Sequence, residues 1–167
     1  MLFETSNAVI SACGCYRYQL TRQWDTHLST VVFVMLNPST ADASINDPTI
    51  RRCINFARSW GFGGLKVVNL FAWRATKPAE LKMVADPVGP DNDYYLLKAF
   101  AQAPATVVAW GTNAPVTRVQ EVGRLLQAAT IGPQCLGATQ MGHPRHPLYV
   151  PSIKQLEAFI LPAVLAQ

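Results

Sequence analysis

Hydrophobic and polar positions recur along the chain with two periods. Thr30 to Leu36 (T-V-V-F-V-M-L), Leu65 to Phe71 (L-K-V-V-N-L-F) and Thr106 to Trp110 (T-V-V-A-W) are near-continuous apolar runs. That is the pattern of strands covered on both faces. A fourth such strand is expected around Gln134 to Thr139. Tyr16 to Trp24 (Y-R-Y-Q-L-T-R-Q-W) alternates large apolar with polar residues, which suits a half-buried strand. Between the strands the period lengthens. Asp47-Pro48 predicts a helix start, because Asp caps orphan N–H groups and Pro fits the first helical position. Ile50, Cys53, Ile54, Ala57 and Trp60 then form an apolar stripe, Arg51, Asn55 and Arg58 take another face, and Gly61 is the stop. Asn92 to Ala103 and Val116 to Ala128 also read as helices, Ser152 to Leu165 as a short terminal helix, and the Pro- and Asp-rich stretch Thr76 to Asp93 as short helix and loop.

Strands alternating with helices predict an α/β fold, a parallel sheet with helices on both faces, in one domain over residues 1–167. In such sheets ligands bind beyond the carboxyl ends of the strands. Those ends are followed here by Asn37-Pro38-Ser39, by Asn69, by Gly111-Thr112-Asn113 and by His143-Pro144. One edge therefore collects uncharged hydrogen-bonding groups.

Each of these positions has a chemical and an ordinary use. Asn37 can orient a water or bind a polar ligand group, or it can be a turn former bonding its own backbone before Pro38. An amide is no general base at neutral pH, so any hydrolysis it assists needs a labile leaving group or a cationic transition state. Ser39 and Thr40 are helix caps or phosphate contacts, and Asp42, the nearest carboxylate, is a base or a solvated loop residue. Asn69 interrupts a buried strand and so demands a partner. Its paired donor and acceptor suit the edge of a nucleobase or amide, with backbone capping as the alternative. Arg74 can face a phosphate or a surface carboxylate. His143 and His146 flank Pro144 and Arg145; a His there can donate to a developing anion, and Arg145 can contact a phosphate. Neither His has a Cys or carboxylate nearby at ligand spacing, so no metal is expected.

Composition narrows the class. Half of the residues are hydrophobic and 14% charged, with a net charge of +4, which excludes disorder. The longest strongly apolar run, Val31 to Leu36, is far short of the about 20 residues of a membrane span. Glu4 and the lack of an early Lys or Arg argue against a secretory leader, so a cytoplasmic chain is expected. Cysteines at 13, 15, 53 and 135 form no disulfide or zinc framework, and Cys13 and Cys15, sharing a strand face, read as buried thiols. The positive charge permits contact with nucleic acid without requiring it.

The segments L-N-P-S-T-A-D (Leu36 to Asp42), D-P-T-I-R-R-C (Asp47 to Cys53) and N-L-F-A-W-R-A-T (Asn69 to Thr76), with Trp110-Gly111 and His143-Pro144, resemble the proteins of domain of unknown function 1643. That resemblance spans nearly the whole chain. More distantly, the chain is similar to the uracil-DNA glycosylase superfamily. Leu36 to Ser39 corresponds to its first strand-end segment, Asn69 to the Asn after a later strand, Val107 to Gly111 to its apolar strand ending in Gly, and Gly142 to Pro144 to its late His loop. The similarity implies a three-layer α/β/α sandwich with a mostly parallel central sheet of about four strands. It further implies metal-free N-glycosidic hydrolysis without a cofactor. Asn37 would position the attacking water, Asn69 would read the base, and His143 would stabilise the departing base anion. Because the late loop reads H-P-R-H-P-L, His146 is open to the same part. Pro38, Ser39, Arg74, Gly111 and Arg145 complete the expected binding set, and Phe71, Trp73 or Trp110 can stack on a base. The expected partner is a nucleobase, nucleotide or nucleic acid. A non-catalytic nucleotide or nucleic-acid binding module, or a structural protein whose motifs are turn and core residues, would use the same groups without cleaving anything.

Overall fold

The computed structural model describes residues 3–162. Its centre is a seven-stranded mixed sheet in the order β1-β2-β4-β3-β5-β6-β7. The strands are β1 (Thr5–Ile10), β2 (Arg17–Gln23), β3 (Thr30–Met35), β4 (Gly64–Asn69), β5 (Thr106–Val108), β6 (Gln134–Cys135) and β7 (Glu157–Ala158). The helices are α1 (Pro48–Ser59), α2 (Asn92–Ala101) and α3 (Val116–Ala128). The expectation of about four strands in a mostly parallel sheet is therefore corrected. Strands β4, β3, β5 and β6 run parallel, but antiparallel pairings add β1 and β2 at one side and β7 at the other. Edge strands this short or this exposed lack the apolar run that marks a covered strand: every residue of β1 from Thr5 to Asn7 is exposed, as are both residues of β7.

Period-two alternation along β3 explains the layers. Val31, Phe33 and Met35 pack with Ile50, Cys53, Ile54, Phe56 and Ala57 of α1. Val32 and Val34 face the other way, into a cluster with Leu96 and Phe100 of α2 and Val119, Val122 and Leu126 of α3. Helices thus cover both faces, as the continuous apolar runs require. Helix α1 begins as predicted: Asp47 accepts from the Ile50 N–H at 2.9 Å and Pro48 opens the first turn. It ends at Gly61, whose φ of +84° is the left-handed conformation that glycine adopts without strain.

Two expectations fail here. The stretch from Ser152 is not helical through residue 162; it contributes β7, with Ala158 opposite Gln134 and Glu157 opposite Cys135. Pro162 falls inside the expected span, where a Pro removes a backbone hydrogen bond and clashes with the preceding turn. Residues 163–165 of that expected helix lie outside the described residues. Cys13 and Cys15 occupy the turn between β1 and β2 rather than a strand, and Cys13 is exposed and Cys15 half-buried.

The polar positions of β2 hold a surprise of placement. Arg17 and Arg22 are buried, and their guanidinium groups turn to the loop joining β3 to α1. Arg17 donates from Nη1 to the Ala41 carbonyl at 2.8 Å. Arg22 donates to Asn46 Oδ1 at 2.8 Å, to Ile45 O at 3.2 Å and to Asp42 O. Among the described residues no helix is long and apolar enough to cross a membrane. Replacing Arg22 by Met leaves these loop acceptors unpaired and is expected to lower unfolding stability by about 3 kcal/mol. The urea midpoint reads this loss; an unchanged midpoint would show that the loop does not depend on Arg22.

Candidate functional site

The order β4-β3-β5 determines where a ligand can enter. From β3 the chain leaves through α1 to β4, and from β5 it leaves through α3 to β6, on the opposite side. The carboxyl ends of β3 and β5 therefore diverge, which opens a crevice at a topological switch point. A cavity of about 510 Å³ lies there, within the size range of small-molecule sites. Met35, Leu36, Asn37 and Ser39 line it after β3, Asn69 ends β4, and Trp110, Gly111, Thr112 and Asn113 follow β5. Asp47, Thr49 and Ile50 bring the start of α1, and Arg17 contributes from β2. The late loop adds Pro144, Arg145, His146, Leu148 and Tyr149.

Asn37 spends both amide hydrogens on the backbone, donating to Pro38 O at 3.0 Å and to Ala75 O at 2.9 Å. This fixes the orientation of the side chain and leaves Oδ1 as an acceptor. Pro38 is buried, does not line the cavity, and acts through its carbonyl, which also accepts from the Ala75 N–H at 2.9 Å.

Asn69 is 1% exposed, and neither its Nδ2 nor its Oδ1 has a hydrogen-bond partner. The backbone-capping alternative is already filled by another residue. Asn92 donates from Nδ2 to Asn69 O at 2.9 Å and Leu70 O at 3.2 Å, and Arg118 donates to Leu70 O at 2.8 Å. A buried amide left without partners costs about 2 kcal/mol, so it marks a place where stability has been given up.

His146 caps a short 3-10 turn at Pro147–Tyr149, its Nδ1 accepting from the Leu148 N–H at 3.2 Å. With Nδ1 as acceptor, the neutral ring carries its proton on Nε2. Burial lowers its pKa below that of an exposed imidazole, and the Asp47 carboxylate opposes that shift. The imidazole is therefore neutral at pH 7 and a donor at Nε2. Gly111 holds the late loop against β5. Its φ is +77°, its N–H donates to Pro144 O at 3.0 Å, and a Cβ there would stand 3.6 Å from His146 Cβ.

Asn37, Ser39, Asn69, Gly111, Arg145 and His146 thus meet at one cavity, whereas His143 and Arg74 do not line it. His143 is half-buried outside it, its N–H bonded to Thr139 Oγ1 at 3.1 Å. Arg74 donates to Gly14 O at 3.3 Å, against the β1–β2 turn. Asp42 bonds Ser44 and Ile45 of its own loop, which holds its carboxyl below the usual range, and it too lies away from the cavity. Of the aromatic candidates only Trp110 lines it; Phe71 is core and Trp73 packs edge-on to Tyr16.

A family model described as "Protein of unknown function (DUF1643)" matches residues 17–148. The chain belongs to this family. The matched span of the DUF1643 protein opens at Arg17, the first residue of the cavity, and closes at Leu148, one short of Tyr149, the last. No curated protein and no solved structure matches the chain.

Arg17, Asp47 and Tyr149 are among the cavity residues that escaped the sequence pattern. Arg17 occupies a polar position in an alternating strand, and nothing local announces its burial. Asp47 was legible as a helix cap, but not as a carboxylate facing the cavity. Tyr149 lies beyond the His motif in an unpatterned stretch.

Two outcomes follow. Asn69→Leu, similar in shape and free of unpaired polar atoms, is expected to raise unfolding stability by about 1–2 kcal/mol in urea titration; destabilisation would mean that Asn69 has a partner in the folded chain. Between pH 7 and 5, His146 takes up its proton less readily in the folded than in the unfolded chain. Its contribution to stability is whole above an ordinary His pKa of about 6.5 and is lost as pH falls below it. Thermal melts of His146→Asn should therefore decline less over that window than those of the wild type; parallel decline would contradict the burial of a neutral ring.

Proposed function

We propose that this DUF1643 protein binds a nucleobase in the cavity and hydrolyses the N-glycosidic bond that carries it. The observation that supports this most is Asn69: a buried amide whose donor and acceptor both lack partners, in a cavity of ligand size. Adjacent donor and acceptor atoms match the amide-like edge that nucleobases present. A site built to pair such an edge rejects ligands without it, because its own groups then stay unpaired. The exposed ring of Tyr149 supplies flat apolar surface in the same cavity.

The remaining groups suit the chemistry. A water attacks the anomeric carbon of the sugar as the carbon–nitrogen bond breaks, and the bonding electrons leave with the base. Asn37 Oδ1 accepts a hydrogen bond from that water and orients it. Asp47 faces the sugar, which becomes cationic in the transition state, and a carboxylate there stabilises the charge and accepts the water's proton. His146 Nε2–H donates to the base as negative charge develops on it. The part that the glycosylase resemblance gives to His143 thus falls to His146, the histidine that lines the cavity.

Liquid chromatography of free base, after incubation with the common nucleosides, their monophosphates and uracil-containing DNA, tests this. Wild type should release base from at least one substrate, and His146→Ala or Asn37→Ala should slow release by about 100-fold. Saturable binding lost in Asn69→Leu, but with no release from any substrate, would contradict hydrolysis and leave a non-catalytic binding module.

A further inference from the structure

A second group in the cavity is also short of partners, and it carries a charge. Arg17 is 2% exposed and lines the cavity. Of its donors, Nη1 meets Ala41 O at 2.8 Å, Nε has no partner, and Arg17 forms no salt bridge among the described residues. Burial lowers its pKa to about 10, which leaves it protonated at neutral pH. The Asp47 and Asp42 carboxylates oppose that shift without forming a salt bridge with Arg17, so its burial is only partly compensated, and the native chain keeps it.

The surroundings favour an anion as its missing partner. Arg145 adds a second cation to the lining, while Asp47 is the one carboxylate among the lining residues and its Oδ1 is engaged with the Ile50 N–H. His146 is neutral. The start of α1 faces the same cavity through Thr49 and Ile50, but Pro48 has no N–H and the Asp47 carboxylate already takes the Ile50 N–H, so the helix end adds little to the guanidinium.

We infer that Arg17 binds a phosphate monoester on the cavity's ligand. The guanidinium fork suits a terminal phosphate, which can accept paired hydrogen bonds from Nε and Nη2. Combined with the base-reading role proposed for Asn69, on which this step rests, the ligand is a free nucleoside 5′-monophosphate. Arg17 and Asn69 are both almost wholly buried, so a phosphate held by Arg17 lies inside the cavity together with the base. A base flipped from a polymer would keep its flanking phosphodiesters outside.

Calorimetric titration of the full chain with inorganic phosphate, ribose 5-phosphate, nucleosides and the matching 5′-monophosphates tests this. In the wild type the monophosphate should bind about tenfold or more tightly than its nucleoside. Arg17→Gln should remove that preference, and Arg17→Lys should retain part of it. Should Arg17→Gln fail to fold through loss of the Ala41 contact, the wild-type comparison and Arg17→Lys decide the matter. Nucleosides binding as tightly as monophosphates in the wild type would overturn the phosphate site and leave the base reading intact. Ribose 5-phosphate binding as tightly as the nucleotides, in an Arg17-dependent way, would uphold the phosphate site and overturn the base reading.

Discussion

Two guanidinium groups brought inside by β2 have to find hydrogen-bond acceptors there, and the loop from β3 to α1 supplies them as backbone carbonyls. Arg17 and Arg22 between them hold Ala41, Asp42, Ile45 and Asn46. The path of that loop sets Asn37 and Ser39 at its start and Asp47 at its end, so the polar side of the cavity depends on it. The same device recurs twice. Arg52 of α1 reaches Pro147 O at 3.2 Å and Val150 O while lying over the Phe56 ring, tying the late loop to α1. Arg118 of α3 holds Leu70 O just beyond β4. A charge-poor chain with a net charge of +4 thus uses arginine mainly as internal cross-bracing. The positive balance says less about an outer nucleic-acid surface than its value suggests.

The regular parts of the fold were legible because their signals are local. The β3, β4 and β5 runs, the Asp47-Pro48 cap and the stripes of α1 and α3 each declare a covered face within a dozen residues. What stayed hidden depends on distant partners. β1 and β7 exist because β2 and β6 offer them an edge, not because their own residues demand it. The burial of Arg17 and Arg22 rests on carbonyls about twenty residues away in the chain. The sheet-edge rule gathered Asn37, Asn69, Gly111 and the late loop at one end, and all of them line the cavity. It could not choose between His143 and His146, three residues apart, because that choice turns on how Gly111 and Pro144 bend the loop inward.

Asn69 is where local consistency breaks. Asn92 and Arg118 take the carbonyls of residues 69 and 70, leaving the Asn69 amide with nothing. Departures of this kind concentrate at functional sites, where a group is held ready for a ligand at the expense of stability. Arg17 repeats the pattern with a charge. The two sit in one cavity at the switch point, beside a neutral histidine and an oriented amide carbonyl, and it is their shared lack of partners that defines the site.

The side-chain amide of Asn69 offers the most direct view of this. In an NMR titration of ¹⁵N-labelled protein with nucleosides and their monophosphates, its Nδ2 proton signals should shift downfield with the same saturation as binding measured by calorimetry. Saturable binding that leaves the Asn69 amide unmoved, while signals elsewhere shift, would contradict the account.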